Sequence, residues 1–450
     1  MKFRFRLSYL LLLLIFTSLF CISCGKTASV DNKPQKAEDG KIHIIYWRHF
    51  FSTEEKTIRE LIKKYEEKNP HIKIDFSTLP FSTYSNKLAT SIAAGTGPHI
   101  INIHTSWAYN FVKSNRLRAL PEELMTTKEV ESNFFPLIKS FKMHGEYYGL
   151  PIGSGCLALY YNVKLFKDAG LDPDKPPKTW KEMIEYAKKL TKRHKNGRLE
   201  TAGLALGSPE FGQGWNYILD SLIPQNNGKV INEEGTKVLW NTPEGIEAFS
   251  FYTDCITKYK VNSYLFPKPS EAFKLGKCGM MIDGNWAIGD IERKTYTKKN
   301  YDADVKAGRK TKEIFKYAIA PVPMNKKKSV HGSYWANCVT SRAVGTEILE
   351  AWKFVNFLAS EESMLLWVDK VKELPMRKSL VKDDSLKNKY PELVAFLDQL
   401  PYSYVSLKKN ESVYKGAITN AIERVIIQNS SVKDAMKIAE NEVNIMLQKE

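Results

Sequence analysis

Hydrophobic positions along this chain change period in a repeated order. Ile42, Ile44, Ile45 and Tyr46 make an apolar run that predicts a strand, and Trp47, Arg48, His49 and Phe50 fall at its carboxyl end. Ile58, Leu61, Ile62 and Tyr65 then recur at i, i+3, i+4 and i+7, the spacing of one helical face. Ser52 and Glu55 stand at the spacing of a capping box before that face, and Asn69-Pro70 stops it. Ile72, Ile74 and Phe76 alternate as a second strand, so the fold opens as a βαβ unit with the usual right-handed crossover. Residues 84–94 predict a second helix closed by Gly95-Thr96-Gly97-Pro98, after which a strand over 99–103 runs into His104, Thr105, Ser106 and Trp107.

The same grammar returns further on. Thr179 and Glu182 form another capping box above Met183, Ile184, Ala187 and Leu190; Thr242-Pro243 starts a helix with Ile246, Phe249 and Ile256 inward; Ser431 begins the last one, with Val432, Ala435 and Ala439. Residues 270–286 compress the pattern: Ser270 as a helix cap, Gly276 as the left-handed residue past the helix, an apolar strand over 278–282, then Asp283, Gly284 and Asn285 as a turn that ends on Trp286. Open α/β sheets hold ligands at the carboxyl ends of their strands, so Trp286 is aimed at a crevice.

At 450 residues the chain exceeds one ordinary core and predicts two or three compact units. Its start has the three parts of a signal peptide over 1–23: Lys2, Arg4 and Arg6, an apolar run over 7–20, and Ile22-Ser23-Cys24. The run is shorter than the ~20 residues a membrane-spanning helix needs. Residues 24–40 are polar, contain Pro34 and read as a flexible tether. The formal charge of +17 loses Lys2, Arg4 and Arg6 on cleavage and stays basic. Clusters such as Lys188-Lys189 and Lys326-Lys327-Lys328 lack the interleaved aromatic residues of a nucleic-acid surface, and an exported protein seldom meets nucleic acid. Cys156, Cys255, Cys278 and Cys338 are too widely spaced for a metal cluster and read as buried apolar residues, with any pairing left open.

The order of helix, Gly276-Lys277, small-residue strand, Gly284 and Trp286 resembles the extracellular solute-binding proteins of ABC sugar importers, in which that tryptophan commonly packs on a sugar ring. Ser23-Cys24-Gly25 resembles the lipobox of bacterial lipoproteins, with Cys24 as the acylated residue; Cys21 stands where that pattern prefers Leu. Residues 146–151, EYYGLP, look like the family's passage between lobes, and Gly153, Ser154 and Gly155 suit a hinge or, equally, a plain loop or bulge. Residues 331–337, HGSYWAN, resemble its return segment, whereas His99 replaces the Asp that usually follows Gly-x-x-Pro. The resemblance implies an α/β, two-lobed, periplasmic-binding-protein-like clamp of type II, each lobe a mostly parallel sheet flanked by helices. Lobe 1 would hold 41–152 and 321–359, and lobe 2 would hold 153–320 and 360–450. It also implies an exported monomer that is lipid-anchored on the periplasmic or cell-surface side, binds a carbohydrate without a cofactor and delivers it to ABC permease subunits.

Independently of any family, rings fall at strand ends or in Gly-containing loops: Trp47, Trp107, Trp215, Trp286, Tyr334 and Trp335. Sugars present C–H faces to such rings and hydroxyls to fixed polar groups, here His49, Thr105, Ser106, Gln213, Asp283, Asn285, Ser333 and Arg377. The plainer reading makes each ring core packing and each polar group a turn or cap. Trp180, Trp352 and Trp367 lie within helical patterns and belong to the core. Among catalytic motifs there is no Gly-x-Ser-x-Gly, His-Glu-x-x-His or Walker loop, because Gly276-Lys277 is followed by Cys. Paired carboxylates of a glycosidase are invisible in sequence, which keeps an exported polysaccharide-active enzyme as an alternative, with Asp283 as its acid. A binder of acidic sugars or sugar phosphates is another, given Arg48, His49, Arg377 and the basic charge.

Overall fold

A computed structural model describes residues 39–206, 214–232, 235–294, 302–303, 305–308, 316–406 and 408–449. The signal peptide, Cys24 and Gln213 lie outside the described residues. β1 (Ile42–His49), α1 (Ser52–Lys68), β2 (Ile72–Leu79), α2 (Phe81–Ala93) and β3 (Ile100–His104) follow one another as the alternation of periods predicts. After β4 (Leu150–Pro151) come β5 (Gly155–Asn162), α3 (Trp180–Leu190), β6 (Leu199–Ala205), α4 (Pro243–Thr257), β7 (Cys278–Gly284), α5 (Trp286–Lys294) and β8 (Tyr317–Ala320). The chain closes with β9 (Val330–Ser333), β10 (Trp335–Val339), α6 (Thr346–Leu358), α7 (Glu361–Val371), β11 (Ser403–Tyr404), α8 (Glu411–Ile426) and α9 (Val432–Gln448).

Two sheets divide these strands, and each carries its own apolar core. The first runs β2-β1-β3-β10-β4 and is packed by α1, α6 and α7; the second runs β11-β9-β5-β7-β6 to the short edge strand Lys192–Arg193, with β8 also on β5. The expected mostly parallel sheets are in fact mixed. β1 is parallel to β2 and β3, and β7 to β6, but β10 runs antiparallel to β3 and β4, and β5 antiparallel to β7, β8 and β9. The antiparallel pairs arise where the chain crosses between sheets: a strand returning from the other lobe enters its sheet reversed.

Those crossings also correct two expected boundaries. β9 still pairs with β5 in the second sheet, Ser333 opposite Gly155, and β10 begins two residues later in the first; the return therefore falls at Tyr334, not at Pro321. Likewise Met364, Trp367 and Met376 belong to the first core, and Leu393 and Phe396 to the second, so the last crossing follows α7 instead of preceding it.

Caps show why several helices start where they do. Thr179 and Glu182 make a reciprocal capping box, Thr242 accepts from Gly245 N, and Ser431 accepts from Asp434 N. At α1 the expected box does not form: Phe51 is the cap residue, and Glu55 is drawn to Arg59, 2.7 Å away, and to the Thr78 hydroxyl at 3.3 Å. Ser270 lies inside its helix, which Lys268 precedes, whereas Gly276 is left-handed as expected, at φ +67°. His99 accepts from Ile45 N through Nδ1 at 3.0 Å, which keeps it locked onto β1. Cys156, Cys255, Cys278 and Cys338 are buried free thiols. Among the described residues no helix is long and apolar enough to cross a membrane.

Candidate functional site

Both lobes line one narrow cleft, whose enclosed space is about 20 Å³. The first contributes His104, Thr105 and Ser106 from the end of β3, with Ser140. The second contributes Trp215 and Asn216, His331 on β9, Ser406 and Lys408 after β11, and Glu411 at the start of α8. Thr105 Oγ1 is buried with no hydrogen-bond partner, although its amide donates to Tyr334 O. A buried hydroxyl left unpaired costs about 1–3 kcal/mol, so it marks a place where an incoming hydroxyl gains. Burial pushes the His104 imidazole down to about 4 against the opposing pull of Glu411, and its Nδ1 lies 2.8 Å from Ser106 Oγ.

Behind the second-lobe wall stands Asp220, fully buried in a π-helical turn over Tyr217–Leu222. Its carboxylate accepts from Lys408 Nζ at 2.6 Å, His331 Nδ1 at 2.8 Å and Ser406 N and Oγ at 3.0 and 2.5 Å. Burial alone would raise this carboxyl, yet Lys408 and His331 hold it well below the usual carboxylate range. Lys408 Nζ also sits 5.4 Å from the Trp215 ring centre, so one cation fixes both the indole and the buried acid.

Beside the cleft, the first lobe carries a continuous cluster of rings. Trp335 lies 4.0 Å from His49, 5.3 Å from Trp107, 5.4 Å from His104 and 6.1 Å from Phe81, by ring centres. Phe51 and Phe81 are half-exposed at its rim. His49 is buried with neither nitrogen in a hydrogen bond, Nε2 lying 3.6 Å from Glu54 Oε2, and burial drives it down to about 2.

A third group surrounds the turn after β7. The Trp286 indole lies on Gly284 and Gly155, donates to Asp283 Oδ1 at 3.0 Å and remains 42 % exposed. Neither glycine has room for a side chain there: a methyl carbon on Gly155 would stand 2.9 Å from the ring, and one on Gly284 would overlap it. Asn285 is buried beside it, donating to Lys372 O at 3.4 Å with Oδ1 unpaired.

The sequence-predicted residues therefore separate. Thr105, Ser106 and Trp215 reach the cleft; His49, Trp107 and Trp335 form the ring cluster; Asp283, Asn285 and Trp286 share the turn, with Ser333 paired opposite Gly155. Trp47 is half-buried under Lys87, 5.5 Å from its ring centre. Two residues go elsewhere. Tyr334 turns into the first core, where its hydroxyl donates to Ile138 O at 3.2 Å, because residues alternate faces at the crossing. Arg377 donates to Ala359 O at 2.6 Å and lies over Phe134, fastening the first lobe away from the cleft. Sequence reasoning missed His104, Asp220, His331, Ser406, Lys408 and Glu411, which only the fold assembles.

A family model for bacterial extracellular solute-binding proteins matches residues 52–365. The chain belongs to that family. The solute-binding chain is similar to a maltotriose-binding protein of Pyrococcus abyssi, 23 % identical, with 87 % of this chain and 79 % of the relative covered. It is also similar to an sn-glycerol-3-phosphate-binding periplasmic protein of Salmonella typhimurium, 27 % identical over 74 % of each chain. Among solved structures, an ABC transporter solute-binding protein of Thermotoga lettingae bound with alpha-D-tagatose superposes with a TM-score of 0.69. It is 26 % identical, with 90 % of this chain and 99 % of that one covered. The fold is the two-lobed type II clamp of periplasmic sugar-binding proteins.

Proposed function

We propose that this protein is the substrate-binding component of an ABC importer, closing its lobes over a carbohydrate and delivering it to membrane permease subunits. The observation that carries the reading is the shared cleft: hydroxyls and an imidazole from one lobe face an indole from the other, and Thr105 Oγ1 waits without a partner. Ligand that touches both walls only when they are near gains affinity in the closed state, and that difference is what shifts open to closed. Trp286, on its glycine seat, supplies an exposed ring face for a sugar, and the cluster around Trp335 supplies others.

In this reading the protein binds and does not catalyse, works as a monomer and is held at the membrane surface by acyl chains on Cys24. Relatives bind ligands as different as maltotriose and glycerol phosphate by their names, so the family alone does not choose between neutral and acidic solutes. A thermal-shift screen of the purified protein against mono- and oligosaccharides, uronic acids and sugar phosphates, with product analysis in every positive well, tests it. Stabilisation with the sugar recovered intact supports a receptor, since a ligand specific for the native state stabilises by mass action. A cleaved sugar refutes it in favour of an enzyme, and no carbohydrate hit at all refutes the carbohydrate.

A further inference from the structure

Among the described residues that line the cleft there is one lysine, and the structure accounts for its charge. Lys408 is 4 % exposed and ends 2.6 Å from a carboxylate that is itself fully buried. Asp220 does not line the cleft; it stands behind Lys408, Ser406 and His331, all of which do. Its two oxygens accept four hydrogen bonds from those three residues, so it is held as an anion at a fixed place. Glu411 places a carboxylate in the lining itself, and His104 is kept neutral by burial. A phosphate or carboxylate entering this cleft would meet no uncompensated cation among the described lining residues. It would also compete with Asp220 for Lys408, giving up its own hydration in return for an already neutralised partner.

We propose that Asp220 sets the charge selectivity of the site: by neutralising Lys408 from behind, it leaves the cleft to an uncharged polyhydroxylated ligand and closes it to phosphorylated or uronic sugars. The inference rests on the cleft being the ligand site proposed above, and it names the ligand class there. Lys408 then acts as a hydrogen-bond donor and as the platform under Trp215, and Asp220 positions it.

The test uses inorganic phosphate as the probe on the purified protein, Asp220→Asn, and the double variant Asp220→Asn with Lys408→Gln, each at low and high salt. The double variant removes both charges of the buried pair together, the change that buried pairs tolerate best. Unpaired surface lysines are common to all three proteins, so their contribution cancels. Asp220→Asn should bind phosphate at least about tenfold more tightly than either of the others and lose the gain as salt rises. The parent protein and the double variant should be alike. A parent protein that binds phosphate more tightly than the double variant overturns the proposal, because Lys408 would already be free for anions; so does a folded Asp220→Asn with no gain. Should Asp220→Asn fail to fold, the comparison of parent with double variant still decides. A merely structural role for Asp220 would lower stability without creating phosphate binding that Lys408→Gln removes. A sugar screen with no hit would sink the carbohydrate reading and leave this comparison unmoved.

Discussion

Replacing Trp286 with Ala tests the proposed sugar platform directly, and the structure sets the size of the effect. A tryptophan side chain buries about 150–250 Å² when fully covered. At 42 % exposure, about 60–100 Å² of Trp286 is open to a ligand. Covering that area at about 25 cal/mol per Å² is worth about 1.5–2.5 kcal/mol, a loss of roughly 10- to 70-fold in affinity for Trp286→Ala. Gly284→Ala is the sharper companion, since it keeps the indole and takes away its seat. The added methyl overlaps the ring, and the half-exposed ring swings outward, breaking its hydrogen bond to Asp283. Overpacking of this kind costs about 1–3 kcal/mol in stability. Affinity should fall toward that of Trp286→Ala. Titration calorimetry with a sugar from the screen, beside urea unfolding of each variant, separates the two effects. If folded Trp286→Ala binds within twofold of the parent, the exposed indole is not a platform and the turn after β7 leaves the site.

Three further perturbations address the rest of the molecule. Lys408→Met takes the lysine cation from the buried Asp220 carboxylate and leaves it only His331 and Ser406, which should cost up to about 3–5 kcal/mol by urea midpoint, whereas changing both residues together should recover most of it. His49 has a folded value held near 2, below its unfolded value of about 6.5, so the unfolded state takes up the proton first. Stability should be fully present above pH 6.5 and fall by about 1.4 kcal/mol per pH unit below it, a slope that His49→Phe should flatten in unfolding curves between pH 7 and 5. Tyr334→Phe removes a core hydroxyl bonded to Ile138 O and Ser140, which should lower stability by about 1 kcal/mol and leave sugar affinity unchanged; lost affinity would put Tyr334 back in the site.

What the sequence made legible follows from the range of the interactions involved. Element types and order came from local signals: the i, i+3, i+4, i+7 face of α1, the Thr179–Glu182 box, the left-handed Gly276. Sheet direction did not, because β10 and β5 are reversed by crossings whose position depends on which core absorbs Tyr334 or Trp367. Rings at strand ends were visible as a class, yet their fates diverge over single residues. Tyr334 enters the core, and Trp335, on the other face, joins His49 and Trp107. The charge chemistry of the cleft left no local trace at all. Asp220, His331 and Lys408 lie 111 and 188 residues apart along the chain from the aspartate, each ordinary in its own neighbourhood. Asp220 sits in a helix, His331 follows a run of lysines and Lys408 is one of many. Only when β9 pairs with β11, placing His331 beside Tyr404, does the segment bearing Ser406 and Lys408 come over the buried acid. The overall positive charge kept an acidic ligand open as an alternative, and the neutralised lysine behind the cleft wall favours the uncharged ligand proposed above, because net charge reports the whole surface and not the one cation that faces the cleft.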